Sequence, residues 1–126
     1  MTLQRFLDAQ ASHYEDVVSE LRSGRKRTHW MWYVFPNIIG LGSSDFAVRY
    51  AIRDLAEAKA YLEHPVLGPR LRECTELVVA KQVRFPFPDD LKLRSCLTLF
   101  AQVDPWFAEQ LRALGLEPDP LTLARI

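Results

Sequence analysis

The feature that most constrains this chain is a run of seven consecutive large side chains, His29-Trp30-Met31-Trp32-Tyr33-Val34-Phe35. It is entered from the cationic turn Gly24-Arg25-Lys26-Arg27 and closed by Pro36. Aromatic side chains bury wide areas, and a buried indole N–H requires a partner. Such a run is therefore either the centre of a core or the wall of a pocket. Both of its faces are bulky, so alternation does not separate a short helix over 29–34, capped by Thr28, from an extended segment. Pro36 biases Phe35 away from the helical region, so the element ends there.

On either side, apolar residues recur at helical spacing. Leu3, Phe6, Leu7, Tyr14, Val17, Val18 and Leu21 form one stripe, predicting a helix over about 3–22 that Ser23-Gly24 stops. A second helix is expected from a cap at Ser43 or Ser44 to His64-Pro65. A third should run from near Val66 to Val83, and a fourth from Asp90 to Val103 with Asp89 as its cap. The segment Cys96 to Ala101 is apolar almost all round, as in a helix covered by its neighbours. Asp104-Pro105 opens a fifth helix ending at Gly115, and Asp119-Pro120 opens a last turn over Leu121 to Ala124. No stretch alternates as a strand and no linker divides the chain. The expectation is an all-α protein: a single domain over 1–126, with about five helices around a buried central one.

A chain of 126 residues fits one domain with a real core. Sixteen Lys and Arg balance sixteen Asp and Glu, which makes nucleic acid an unfavoured partner. No apolar run approaches the roughly 18 residues of a membrane span. The amphipathic start, Met1 to Asp8, lacks the apolar block of a signal peptide. Cys74 and Cys96 form no CxxC pair and fit small buried hydrophobes, with one disulfide left open. These features point to a cytoplasmic protein.

Two segments carry candidate chemistry. The imidazole of His29, beside three cations, is the candidate catalytic group, as a general base or hydrogen-bond donor; a core histidine bonded to a carbonyl is the plainer reading. Arg25 and Lys26 suit a phosphate or carboxylate, or simply the carbonyls that end the first helix. Trp30 and Trp32 offer rings for stacking, although tryptophans at such density are more often core. In Asp89-Asp90-Leu91-Lys92-Leu93-Arg94-Ser95, Lys92 and Ser95 share a helix face that can receive an anion. Against this, the two aspartates already satisfy the helix end, and Asp90 is spaced to pair with Arg94. There is no P-loop, GxGxxG, HExxH or GxSxG, so no cofactor is implied. His13, His29 and His64 lack ligand spacing, which argues against a metal.

Several blocks together resemble a known family. They are Arg5-Phe6-Leu7-Asp8-Ala9-Gln10, Gly24-Arg25-Lys26 with His29-Trp30-Met31-Trp32, Phe35-Pro36 with Gly40-Leu41-Gly42-Ser43, Tyr50-Ala51-Ile52, His64 to Leu71, and Asp89 to Ser95 with Thr98-Leu99-Phe100. The chain resembles, over nearly its whole length, the uncharacterised bacterial family called domain of unknown function 1810, sometimes labelled calpastatin-like. The resemblance implies a single multihelical domain with a buried central helix, and it carries over no catalytic residue. Asn37 departs from it, standing where glutamine is usual. So do Val83 to Pro88 and the compressed ending Pro120 to Leu123.

The site expected from these readings joins Arg25, Lys26, His29, Trp30, Trp32 and Asn37 to Lys92, Arg94 and Ser95. It would hold an anionic, ring-bearing small molecule, a nucleotide or an ADP-ribose-like compound. The alternative is a non-enzymatic interaction or structural module in which the aromatics are core.

Overall fold

The computed structural model describes residues 3–126; Met1 and Thr2 lie outside the described residues. Nine helices follow one another among the described residues: α1 (Gln4–Ala11), α2 (Tyr14–Arg22), α3 (Met31–Val34), α4 (Asp45–Arg49), α5 (Leu55–Glu63), α6 (Leu67–Lys81), α7 (Asp89–Ala101), α8 (Pro105–Ala113) and α9 (Pro120–Leu123). Extended pairing among these residues is confined to two isolated bridges, Arg25 with Arg84 and Ile38 with Ile52. The fold is all-α.

The count of about five helices is too low because two expected helices are each broken and because the short segments α3 and α9 are helical as well. The stripe over 3–22 is split at Ser12-His13, where both backbone N–H groups fold back onto the Gln10 carbonyl. Gln10 is buried there, and its amide donates to the Tyr33 carbonyl at 2.7 Å and the Tyr61 hydroxyl at 3.2 Å. The helix expected over 43–64 is interrupted after Tyr50. Ile52 donates to the Asn37 carbonyl and accepts from the Ile39 N–H, both at 2.8 Å, which requires an extended chain. The chain re-enters helix at Asp54, whose carboxylate caps α5 by accepting the Glu57 N–H at 2.8 Å.

Five of the remaining ends are made by the local groups expected for them, and two are not. Ser44 accepts from the Ala47 N–H, Asp104 from Trp106 and Asp119 from Leu121. Gly24 and Gly115 take positive φ after α2 and α8. Asp89 is the first residue of α7 rather than its cap. Thr28 does not cap α3, which begins after Trp30 without a side-chain cap.

The core is organised around α7. Residues 95–100 are all buried, and Cys96, Leu97, Leu99 and Phe100 are fully enclosed. α7 packs against α5, α8 and α9. Phe100 lies 5.4 Å from the Tyr61 ring and 5.8 Å from Phe107, centroid to centroid. Enclosing a side chain of this size stabilises by roughly 1.5–3 kcal/mol, which makes α7 the element on which the others depend. α5 and α6 cross closely at Gly68, where an added Cβ would lie 2.1 Å from the Leu62 carbonyl oxygen. Both cysteines are free and buried. No helix of the described residues is long and apolar enough to cross a membrane.

Candidate functional site

The cationic turn is held by one buried carboxylate. Glu20, on α2, accepts the Arg27 and Thr28 N–H groups at 2.6 and 2.9 Å, the Thr28 hydroxyl at 2.6 Å and the Trp30 indole N–H at 3.1 Å. Burial pushes this carboxyl up. The Thr28 hydroxyl, the two backbone N–H groups and the indole outweigh it and hold the group at about 2. The clasp draws Trp30 into the core, where it is 1% exposed. Trp32, two residues on, faces another way and is half-buried.

Trp32 forms part of a cavity of about 360 Å³ between the 35–50 segment, the start of α7 and residues 119–121. Trp32, Phe35, Ile38, Leu41 and Tyr50 supply an apolar and aromatic wall. Lys92 enters from α7 and lays its ammonium over the Trp32 ring, 4.7 Å from the centroid. Among the described residues, no carboxylate lies within ion-pair distance of it. Arg94 also lines the cavity; its Nε and Nη2 hold the Glu117 and Pro118 carbonyls, and Nη1 has no hydrogen bond among the described residues. Asn37 donates from Nδ2 to the Lys92 carbonyl at 3.0 Å and the Phe35 carbonyl at 3.3 Å.

The carboxylate in this wall is committed elsewhere. Asp119 accepts from the Ser95 and Thr122 hydroxyls, each at 2.7 Å, and caps α9. Burial raises its carboxyl, but the hydroxyls of Thr122 and Ser95 and the N–H groups of Leu121 and Thr122 bring it below its ordinary value. The wall therefore offers the cationic groups of Lys92 and Arg94 beside one ionised carboxylate whose oxygens are occupied by hydroxyl and N–H donors, an arrangement that can take an anion with a flat apolar portion at the cationic side.

The sequence-predicted residues divide into two groups. Trp32, Asn37, Lys92, Arg94 and Ser95 come together at the cavity, although the Ser95 hydroxyl is occupied by Asp119. Arg25, Lys26, His29 and Trp30 do not line it. Lys26 instead pairs with Asp89 at 3.0 Å, and its ammonium lies over Trp30. Arg25 and His29 are exposed, and Trp30 is core. The expected Asp90–Arg94 pair is absent because Arg94 turns to the 117–118 carbonyls. Sequence reasoning missed Tyr50 and Asp119 as wall residues. The signal for Asp119 was its position as a cap beside a buried helix; for Tyr50 there was none beyond its ring. No three His, Cys, Asp or Glu side chains gather among the described residues in a way that would hold a metal ion.

Comparison with known proteins adds a fold and a family. The solved structure of the conserved hypothetical protein Rv1873 from Mycobacterium tuberculosis, at 1.38 Å, is 53% identical and superposes with a TM-score of 0.91. The match covers 97% of this chain and 94% of that one. No curated protein matches the chain. The family model described as a protein of unknown function, DUF1810, matches residues 1–126, and the chain belongs to that family.

Proposed function

We propose that the cavity between Trp32 and Lys92 binds a small anion bearing one flat ring system, of the size of a mononucleotide or the corresponding part of an ADP-ribose-like compound. The observation that carries this reading is the Lys92 ammonium, lying on an aromatic face with no carboxylate partner inside an apolar wall. A ring entering beside Trp32 would keep that cation covered, and its anionic group would meet Lys92 and Arg94 Nη1. A volume of about 360 Å³ lies near the lower end of small-molecule sites, roughly 300–1,000 Å³, so one ring with its charged group fills it. The proposed ligand is that of a cytoplasmic binder of small molecules rather than of nucleic acid, whose long charged backbone two cations in one cavity do not match.

The test is a thermal-shift and calorimetric screen of mononucleotides and ADP-ribose with the native chain and Lys92→Ala. Binding at 100 times Kd adds about 2.7 kcal/mol and should raise Tm by several degrees. Lys92→Ala should weaken binding roughly 10- to 100-fold. Absence of any shift at millimolar ligand would remove this function.

A second reading, a non-enzymatic interaction module, is favoured by Leu91 and Leu121, which line the cavity yet are 47% and 68% exposed. Here a partner side chain fills the cavity. Ligand-independent self-association or pull-down lost in Leu121→Asp, with no small-molecule binding, would select it.

A further inference from the structure

We infer that the anion held at Lys92 is one whose ring presents an N–H donor edge, an exocyclic amine or a ring N–H, to the side-chain oxygen of Asn37. The inference rests on the proposed binding function and narrows its ligand class. Asn37 lies at the cavity wall with its amide orientation fixed. Both amide hydrogens are taken, one by the Lys92 carbonyl at 3.0 Å and one by the Phe35 carbonyl at 3.3 Å. A flipped amide would set its oxygen against two carbonyl oxygens, so the arrangement has one sense. Oδ1 has no hydrogen-bond partner among the described residues and is not sealed in the interior, which holds no unpartnered buried side-chain oxygen among them.

An acceptor in a mostly apolar wall discriminates strongly. When a ring displaces water from it, a matching donor restores the lost hydrogen bond, whereas a bare C–H edge leaves the oxygen unpaired. The penalty corresponds to roughly a 10- to 100-fold loss of affinity. Lys92 Nζ and Asn37 Oδ1 thus read opposite features of one ligand, a negative group and a positive hydrogen. The carbonyl of Lys92 is itself Asn37's partner, so the two groups are tied to one another by a hydrogen bond. Amino-bearing purine and pyrimidine nucleotides satisfy both groups; aromatic carboxylates and phosphates without ring nitrogen hydrogens satisfy only the cation.

The experiment is titration calorimetry of the full chain with matched pairs that differ by one amino group. These are adenosine 5′-monophosphate against purine riboside 5′-monophosphate, and cytidine 5′-monophosphate against its 4-deamino analogue. At least one amino compound should bind tenfold or more tightly than its partner. Asn37→Ala, verified as folded by circular dichroism, should bring that ratio to within about threefold. If ligands bind but neither amino compound exceeds its partner by tenfold in the native chain, the donor-edge inference is wrong and the binding function stands. If no member of either pair binds at millimolar concentration, both are overturned. The comparison of ligands in the native chain decides the matter even where Asn37→Ala does not fold.

Discussion

Glu20→Gln should destabilise the fold by about 3 kcal/mol at neutral pH, and the loss should fade in acid. Four donors converge on this carboxylate and hold it at about 2, against an ordinary value of 4.5. At about 1.36 kcal/mol per pH unit, the ionised form gains roughly 3 kcal/mol over the protonated one on folding. The folded value lies below the unfolded one, so this stabilisation is complete above about pH 5 and is lost as pH falls through 4.5 toward 2. Glutamine keeps the shape of the protonated acid. Its difference from the native chain should therefore shrink from about 3 kcal/mol at pH 7 to about 1.4 at pH 3. Urea denaturation of both proteins by circular dichroism at pH 7, 5, 4 and 3 measures the difference directly. Taking the difference cancels the other carboxylates, which titrate in both chains. A gap below about 1 kcal/mol at pH 7, or one that stays flat with pH, would show that the clasp does not hold the 25–30 turn as described.

Other outcomes follow from the packing. Gly68→Ala places a Cβ against the Leu62 carbonyl and should cost about 1–3 kcal/mol in urea melts by forcing α5 from α6. Leu97→Ala and Phe100→Ala should each cost about 2–5 kcal/mol, since both side chains are fully enclosed; a cost below about 1 would place α7 at the surface. Asp119→Ala releases Ser95 and Thr122 and should raise amide exchange over residues 119–126 while leaving the centre of α7 protected. Burial pushes the Cys74 thiol up to about 12 and the Cys96 thiol well up. Iodoacetamide at pH 8 should therefore label neither in the native chain and both in denaturant.

The central helix was legible because its evidence is local: Cys96 to Ala101 has no polar face for water to take. Caps such as Ser44, Asp104 and Asp119 were legible for the same reason, since each bonds within three residues of itself. The breaks at Ser12-His13 and after Tyr50 were hidden because apolar spacing records which face is buried, not which backbone groups pair. At the second break a local signal existed: Asp54 precedes Glu57 by three, the pattern of a helix start. The cationic turn read as a ligand site because its partner is distant in sequence from the motif itself. Glu20 looks like one more charge on a solvated helix face, yet it sits next to Leu21 and three residues after Val17, both buried. That position turns it inward, beneath the turn.

The placement of polar residues on α7 explains how the cavity walls are joined. The 35–50 segment and the 117–121 segment meet through this helix. Lys92 presents its carbonyl to Asn37 on one side, while Arg94 grips the 117–118 carbonyls and Ser95 grips Asp119 on the other. Three polar residues within four positions of a central helix would weaken an ordinary core, because each must be desolvated. Ser95 recovers that cost through Asp119, and Arg94 recovers much of it through two carbonyls. Lys92 recovers less: among the described residues its ammonium has the face of Trp32 and no carboxylate within ion-pair distance. A leucine there would satisfy the wall at least as well, so stability alone does not account for a cation at that point. The proposed anion would offset that charge, which has no carboxylate within ion-pair distance among the described residues.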